Sequence, residues 1–252
     1  MRILVGNDDG IDSPGLSALA DAALALSPDV WVIAPERRWT AAGHQLTFDR
    51  ELTLTKRQDR RYACSGAPAD CVVAAMTVLF DSEARPDLVL SGINDKRNVA
   101  EDIAYSGTVS VAREASFWGV PAIGVSREQR AIEGAAEAAS LRRLLHVLWE
   151  SRTEWAAEGH WLSVNLPIAL PAPVAQALMG HDKIGGASDV VERTDGRIVF
   201  KLRRGRPGTR TPGDENSQLD AGMIAIVRQR WAAVAPLPER LIAAWSTAVA
   251  RA

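Results

Sequence analysis

The sequence predicts an α/β protein built on a doubly wound, mostly parallel sheet. Three observations carry that reading. Short apolar runs alternate with amphipathic helical stretches, the order that winds helices onto both faces of a sheet. The first run, Ile3-Leu4-Val5, is continuously apolar, as a strand covered on both faces requires. Polar segments then follow several strands at their carboxyl ends, where open α/β sheets collect their ligands.

Taken in order, Arg2 to Gly6 reads as the first strand, and SPGLSALADAALALS reads as a helix. Ser13 suits its N-cap and Pro14 its first helical position, while Leu16, Leu19, Ala20, Ala23 and Leu26 fall near one face. DVWVIAP, residues 29–35, is the second strand, stopped by proline. HQLTFDRELTLT alternates in parts and predicts a β excursion before RYACS. A helix is expected from Ala69 to Leu79, and ARPDLVLSGIN supplies a further buried strand ending at Ser91-Gly92. A polar loop follows, then a helix over about Thr108 to Trp118, the strand VPAIGVS, a long helix from about Gln129 to Trp149, and the strand WLSVNLP. The doubly wound core is expected to run to about residue 170.

Beyond that the pattern changes. PIALPAPVA is proline-rich, GRIVFKLRRGRPGTRTPGDEN holds a strand followed by a Gly/Pro/Arg loop, and AGMIAIVRQRWAAVAPLP alternates in two stretches. PERLIAAWSTAVARA closes the chain as an amphipathic helix. The expectation for about 171–252 is a β-hairpin-like extension with a terminal helix, within one domain. A protruding hairpin has little core of its own and needs a partner surface, so an oligomer is expected. There is no internal repeat.

Composition narrows the function classes. Across 252 residues, 47% are hydrophobic and 24% charged, which excludes global disorder. A formal net charge of −2 leaves no basic surplus for a nucleic-acid polymer or an anionic membrane. No window offers the roughly 18–20 uninterrupted apolar residues of a membrane span. The N-terminal apolar run is short for a signal peptide and meets acids at once. A cytoplasmic location is expected, and with it free thiols at Cys64 and Cys71.

The chemistry starts at NDDG. Asp8 and Asp9 stand side by side after the first strand, and two neighbouring carboxylates repel unless solvent or a cation separates them. Alone, the pair is a solvated turn or one wall of a cation site. ERRWT follows the second strand and Ser91 to Asn94 end a later one, so the sheet assignment brings three polar segments to one edge. The oxygen set Asp8, Asp9, Thr40 and Asn94 suits a hard divalent cation, Mg²⁺ or Mn²⁺. No His/Cys cluster favours zinc, and His44, nearest of the four histidines, reads as a loop residue. Ser106-Gly107-Thr108 precede a helix, which makes either a plain cap or an anion site built from backbone N–H groups. Beside a cation the second reading becomes a phosphate cradle, and the pair together points to phosphoryl chemistry. The glycine fingerprint of dinucleotide enzymes, the P-loop and the G-x-S-x-G elbow are absent. A receiver-type signalling domain would need about half this length and a phosphoacceptor aspartate where Asn94 stands.

These motifs, in this order, resemble the SurE family of stationary-phase survival proteins, metal-dependent 5'/3'-nucleotidases. The resemblance rests on NDDG-x-x-x-PG, APER, GAPADCV (Gly66 to Val72), SGIN (Ser91 to Asn94) with Asn98, and YSGTV (Tyr105 to Val109). Weaker matches continue in SVNLP (Ser163 to Pro167) and VAPLP (Val234 to Pro238). It implies a Rossmann-like three-layer core, with a C-terminal hairpin and helix exchanged between subunits of a homodimer or homotetramer. It implies hydrolysis of nucleoside 5'- or 3'-monophosphates, with short polyphosphate as a further substrate. One divalent cation per subunit maps onto Asp8, Asp9, Asn94 and Thr40, and phosphate contacts onto Asn98, Ser106, Gly107 and Thr108. Asp8 and Asp9 are then the catalytic carboxylates, with Asp8 closest to the chemistry, orienting the water or attacking.

The chain also departs from the family. Where the family reads D-R-N-R-S-G after the second strand, this chain has Glu36-Arg37-Arg38-Trp39-Thr40-Ala41. Threonine keeps the hydroxyl oxygen, and Ala41 gives up the freedom of glycine. In SGINDKRN, Lys96 replaces a family glycine, which either distorts the loop or adds an ammonium beside phosphate. The rival reading is therefore a catalytically weakened, nucleotide- or phosphate-binding oligomer of the same fold. In KLRRGRPGTR, the arginines are either a solvated charge run, or Arg203, Arg204 or Arg206 reaches a neighbouring subunit's cleft.

Overall fold

A computed structural model describes residues 1–80, 84–127, 131–181, 185–204, 211–231 and 238–249. Its centre is a nine-stranded sheet in which β1 (Arg2–Gly6) lies between β2 (Asp29–Pro35) and β5 (Leu88–Asn94), parallel to both. β4 (Arg61–Cys64) adds to β2, and β6 (Ala122–Arg127) and β7 (His160–Leu166) continue beyond β5, all parallel. β3 (Leu54–Gln58) closes one edge antiparallel to β4. The chain order reverses between β1 and β5, and the crevice at their carboxyl ends is the ligand position of such a sheet.

The buried strands alternate their side chains between two helical layers. Ile3, Val5, Leu88 and Leu90 pack with Leu16 and Leu19 of α1 (Pro14–Ala23) and with Leu141 and Leu145 of α5 (Gly134–Glu150). Leu4 and Val89 face the other way, onto Val72 of α2 (Pro68–Ala74), Met76 in the π-helical turn Ala75–Leu79 that continues it, and Val109 and Ala112 of α4 (Gly107–Phe117). The short helix α3 (Asp102–Tyr105) leads into α4, and α6 (Arg152–Trp155) follows α5. α1 starts as its sequence requires: Pro14 opens it and the Ser13 Oγ accepts from Leu16 N at 3.3 Å. Cys64 and Cys71 are buried free thiols.

The structure corrects several boundaries. Residues 44–53 form no strand; the β excursion is β3–β4, because the alternation before Leu54 is interrupted by charged residues that stay exposed. α5 begins at Gly134, not Gln129, and residues 128–130 lie outside the described set. β5 runs on past Gly92 to Asn94. The sheet also runs on past residue 170. β11 (Ile224–Arg230) pairs antiparallel with β7, and β8 (Val174–Gln176) pairs parallel with β11. Ile224 and Ala225 are buried, so AGMIAIV supplies an inner strand of the main sheet. The hairpin is formed instead by β9 (Gly185–Thr194) and β10 (Arg197–Arg204), a separate two-stranded sheet. α7 (Glu215–Asp220) precedes β11, and α8 (Glu239–Val249) is the closing helix. The VAPLP match lies outside the described residues save for Pro238, as does Arg206. No helix among the described residues is long and apolar enough to cross a membrane.

Candidate active site

The loop after β1 is shaped by Asn7, which is fully buried. Its amide donates to the Ser13 Oγ at 2.6 Å and to Gly10 O at 3.2 Å, and its Oδ1 accepts from Gly10 N. This turn presents Asp8 and Asp9 to the crevice. Trp39 N donates to Asp8 O at 2.8 Å, so the loop after β2 is tied to the same place.

Asp8 is buried and meets the start of α4. The Thr108 hydroxyl donates to Asp8 Oδ1 at 2.5 Å. Gly107 lies so close that a Cβ built there would stand 2.5 Å from the Asp8 Cβ and 2.9 Å from Pro68 Cγ. Ser106 is the N-cap of α4, its Oγ accepting from Val109 N at 3.1 Å. The cap reading and the close approach of the helix end to the acid therefore hold together. Burial pushes the Asp8 carboxyl up to about 6, with the Thr108 hydroxyl pulling it down and Asp9 pushing it further up. Asp9 is raised too, by burial first, against its bond to Arg38.

A cavity of about 340 Å³ opens over this point, and Asp8, Asp9, Thr40, Asn94, Asn98 and Ser106 all line it. Lys96 lines it as well, while Gly107 and Thr108 lie behind Asp8 as the contacts above describe. Asn94 donates its amide to Lys96 O at 2.6 Å. Asn98 is buried: its N donates to Asn165 Oδ1, Asn165 Nδ2 returns a bond to Asn98 O, and its own Nδ2 donates to Ser126 Oγ at 2.9 Å. Among the described residues no three His, Cys, Asp or Glu side chains cluster as a metal group. A cation here would take two carboxylates and neutral oxygens, the donor set of a hard ion, and it would relieve the strained ionisation of the acid pair. The residues present fit such an ion.

Sequence reasoning missed Arg38. Its Nη2 lies 2.5 Å from Asp9 Oδ1 and 2.5 Å from Asp95 Oδ2, bridging the loops after β1 and β5. The only signal was its place where the family reads asparagine. Beyond this bridge a second cavity of about 800 Å³ shares Asp9, Arg38, Asn94 and Lys96 and is walled by Ile11, Pro14, Ile93 and Ile132. The two departures resolve differently. Lys96 is exposed and has no left-handed φ, so the loop carries no strain there, whereas Ala41 sits at φ +56° where the family has glycine. His44 is a loop residue, its Nε2 2.6 Å from Glu114 Oε2 on α4. Leu202 of β10 lines the smaller cavity, Arg203 pairs with Asp189 across the hairpin, and the Arg204 side chain lies outside the described set.

A strand-end acid pair at the switch point of a doubly wound sheet, closed by a helix N-terminus, defines an α/β protein with an acid-lined crevice at the carboxyl ends of its strands. The sequence model of the Survival protein SurE family matches residues 3–184. The chain belongs to the SurE family. It is 38% identical over 212 residues to a 5'-nucleotidase SurE of Paramagnetospirillum magneticum, covering 78% of this chain and 76% of that one. A 5'-nucleotidase SurE of Chelativorans sp. is 36% identical over 248 residues, covering 94% and 93%. The crystal structure of the SurE protein from Aquifex aeolicus superposes with a TM-score of 0.78 at 29% identity, covering 93% of this chain and 95% of that one.

Proposed function

We propose that the protein is a divalent-metal-dependent 5'-nucleotidase, hydrolysing nucleoside monophosphates to nucleoside and phosphate. The observation that carries the reading is Asp8, buried between Asp9 and the first residues of α4. The relatives named 5'-nucleotidase support the same activity. Asp8, Asp9, Asn94 and Thr40 would hold one Mg²⁺ or Mn²⁺ per subunit. When bound, the ion supplies Lewis-acid polarisation of the phosphoryl oxygens.

The chain's own residues do the rest. Thr108 fixes the Asp8 carboxylate by donating to Oδ1, so the acid is oriented before substrate arrives. The α4 N-terminus meets the cavity at its cap residue Ser106, which lines it with Asn98, and the positive end of the helix favours an incoming phosphate. Lys96 adds a positive charge at its rim. The larger cavity adjoining Asp9 gives the nucleoside room on apolar walls. Nucleoside 3'-monophosphates and short polyphosphate present the same terminal phosphate. The proposal includes a cytoplasmic homodimer or homotetramer in which the β9–β10 hairpin and α8 are exchanged between subunits. The exposure of Val191, Phe200 and Leu202 on that hairpin supports a partner surface there.

The test is phosphate release from AMP by wild type and Asp8→Asn across Mg²⁺, Mn²⁺, Co²⁺ and Ca²⁺. Release that survives both the substitution and chelation would refute the reading.

A further inference from the structure

Among the described residues Glu215 is the most deeply buried acid outside the crevice, and nothing in the reaction above uses it. It opens α7, in the part of the chain that returns to the sheet after the hairpin. Its Oε2 accepts from Ala100 N at 2.7 Å and from Gly180 N at 3.3 Å. Its Oε1 is buried with no hydrogen-bond partner among the described residues.

The place where that carboxyl ends matters. Ala100 is at φ +52°, two residues after Asn98 on the loop that follows β5. An alanine held in left-handed conformation is strained, so something outside the loop must fix it. The loop is held elsewhere by α7 as well: Arg97 Nη1 donates to Asn216 Oδ1 at 2.8 Å and reaches Asp220 at 3.4 Å. Leu178 N donates to Gly213 O and Glu215 N to Leu178 O, so the 178–180 segment is stitched to α7 around the same carboxyl. His181 pairs with Glu101 on the outside of this junction.

We infer that Glu215 is the positioning residue that pins the Asn94–Ala100 loop, setting where Asn98 stands for the substrate phosphate, and this rests on the nucleotidase reading above. Its carboxylate supplies the acceptor that the strained Ala100 N–H needs, from an element more than a hundred residues away in sequence. The remaining acceptor oxygen has no partner among the described residues, a cost that no surface helix start would carry. Asp214 and Asp102 are the charged neighbours that act on it, both raising its proton affinity beyond the effect of burial.

The experiment compares Glu215→Ala and Glu215→Gln by two readouts. Amide hydrogen exchange without substrate reads the pin directly. Steady-state kinetics with AMP and Mn²⁺ reads its consequence for substrate. Glu215→Ala should speed exchange at Ala100 about 10-fold or more and raise KM about 10-fold while kcat changes less than about threefold. Glu215→Gln keeps an acceptor oxygen of the same reach and should restore both to near wild type. Unchanged exchange at Ala100 in Glu215→Ala overturns the inference, as does faster exchange with an unchanged KM. If Glu215→Ala fails to fold, Glu215→Gln decides alone: a KM raised about 10-fold in a folded Gln variant overturns the role of the acceptor. A wild type that hydrolyses no phosphomonoester refutes the nucleotidase reading and the phosphate role with it, while protected exchange at Ala100 still reports the pin.

Discussion

Thr108 and Asp8, 100 residues apart, are joined by a buried hydroxyl–carboxylate bond of 2.5 Å that ties the end of β1 to the start of α4. A hydrogen bond to a charged acceptor contributes about 1.5–3 kcal/mol, or roughly 10- to 100-fold in a rate that depends on it. Thr108→Val keeps the shape and removes the donor. The expected outcome is a kcat for AMP lower by that factor with the fold intact by circular dichroism. In metal-free protein, carboxyl NMR should find Asp8 titrating above its wild-type midpoint, since the hydroxyl is what pulls it down.

Gly107 allows no side chain. A methyl there would meet the Asp8 Cβ at 2.5 Å and Pro68 on the other side, so either Asp8 or the helix start must move. Displacements of about 1 Å at reacting groups cost on the order of 100-fold. Gly107→Ala should lower phosphate release by about 100-fold and weaken Mn²⁺ binding by calorimetry. The same change at Gly119, where no described atom lies within 4 Å but φ is +73°, should cost about 1–2 kcal/mol of stability and leave both readouts unaltered.

Ala41 is strained where its relatives' pattern has glycine. At φ +56° it carries the left-handed cost, partly offset by the stiffer unfolded chain that alanine gives. Ala41→Gly should therefore raise stability by about 0.5–1 kcal/mol, read as a higher urea midpoint at unchanged slope.

Glu215 makes stability depend on pH. Burial raises its carboxyl from 4.5 to about 7, so the folded state holds the proton more tightly than the unfolded one. The contribution of this group is fully present below about 4.5 and is lost as pH rises through about 7. At pH 8 the ionised form then costs up to about 3 kcal/mol. Glu215→Gln should have the higher melting temperature at pH 8, with the gap closing toward pH 5.

Arg127 and Glu137 form a buried pair, Nη1 to Oε2 and Nη2 to Oε1 both at 2.9 Å, with Arg127 fully enclosed. The same guanidinium donates to Ala131 O, Pro167 O and Ile168 O, closing the ends of β6 and β7. Glu137→Ala leaves that charge uncompensated and should cost about 3–5 kcal/mol in urea unfolding.

The sheet's inner strands and the crevice acids were legible because each is written locally. A continuous apolar run, a serine cap and a proline at the helix start need no distant partner to be read, and NDDG follows its strand directly. What stayed hidden depends on pairing across the chain. Arg127 looks like the polar end of a strand until Glu137 is placed beside it. Arg38 looks like one of two exposed arginines until Asp9 and Asp95 flank it. AGMIAIV alternates as an outer hairpin strand does, and only the vacant side of β7 makes it an inner one.

β11 lies between β7 and β8, although the chain reaches it only after the hairpin has been made. On a ribosome delivering roughly 5–20 residues per second, every crevice side chain emerges seconds before the strand that completes the sheet and the helix that backs the Asn98 loop. During that interval the nascent chain carries the acids and the loop with an open sheet edge beside them. Assembly of the site is thus timed by the translation of the segment that follows the hairpin, and a premature stop after β7 would release a chain that holds Asn98 by Asn165 and Ser126 but lacks the α7 contacts to its loop.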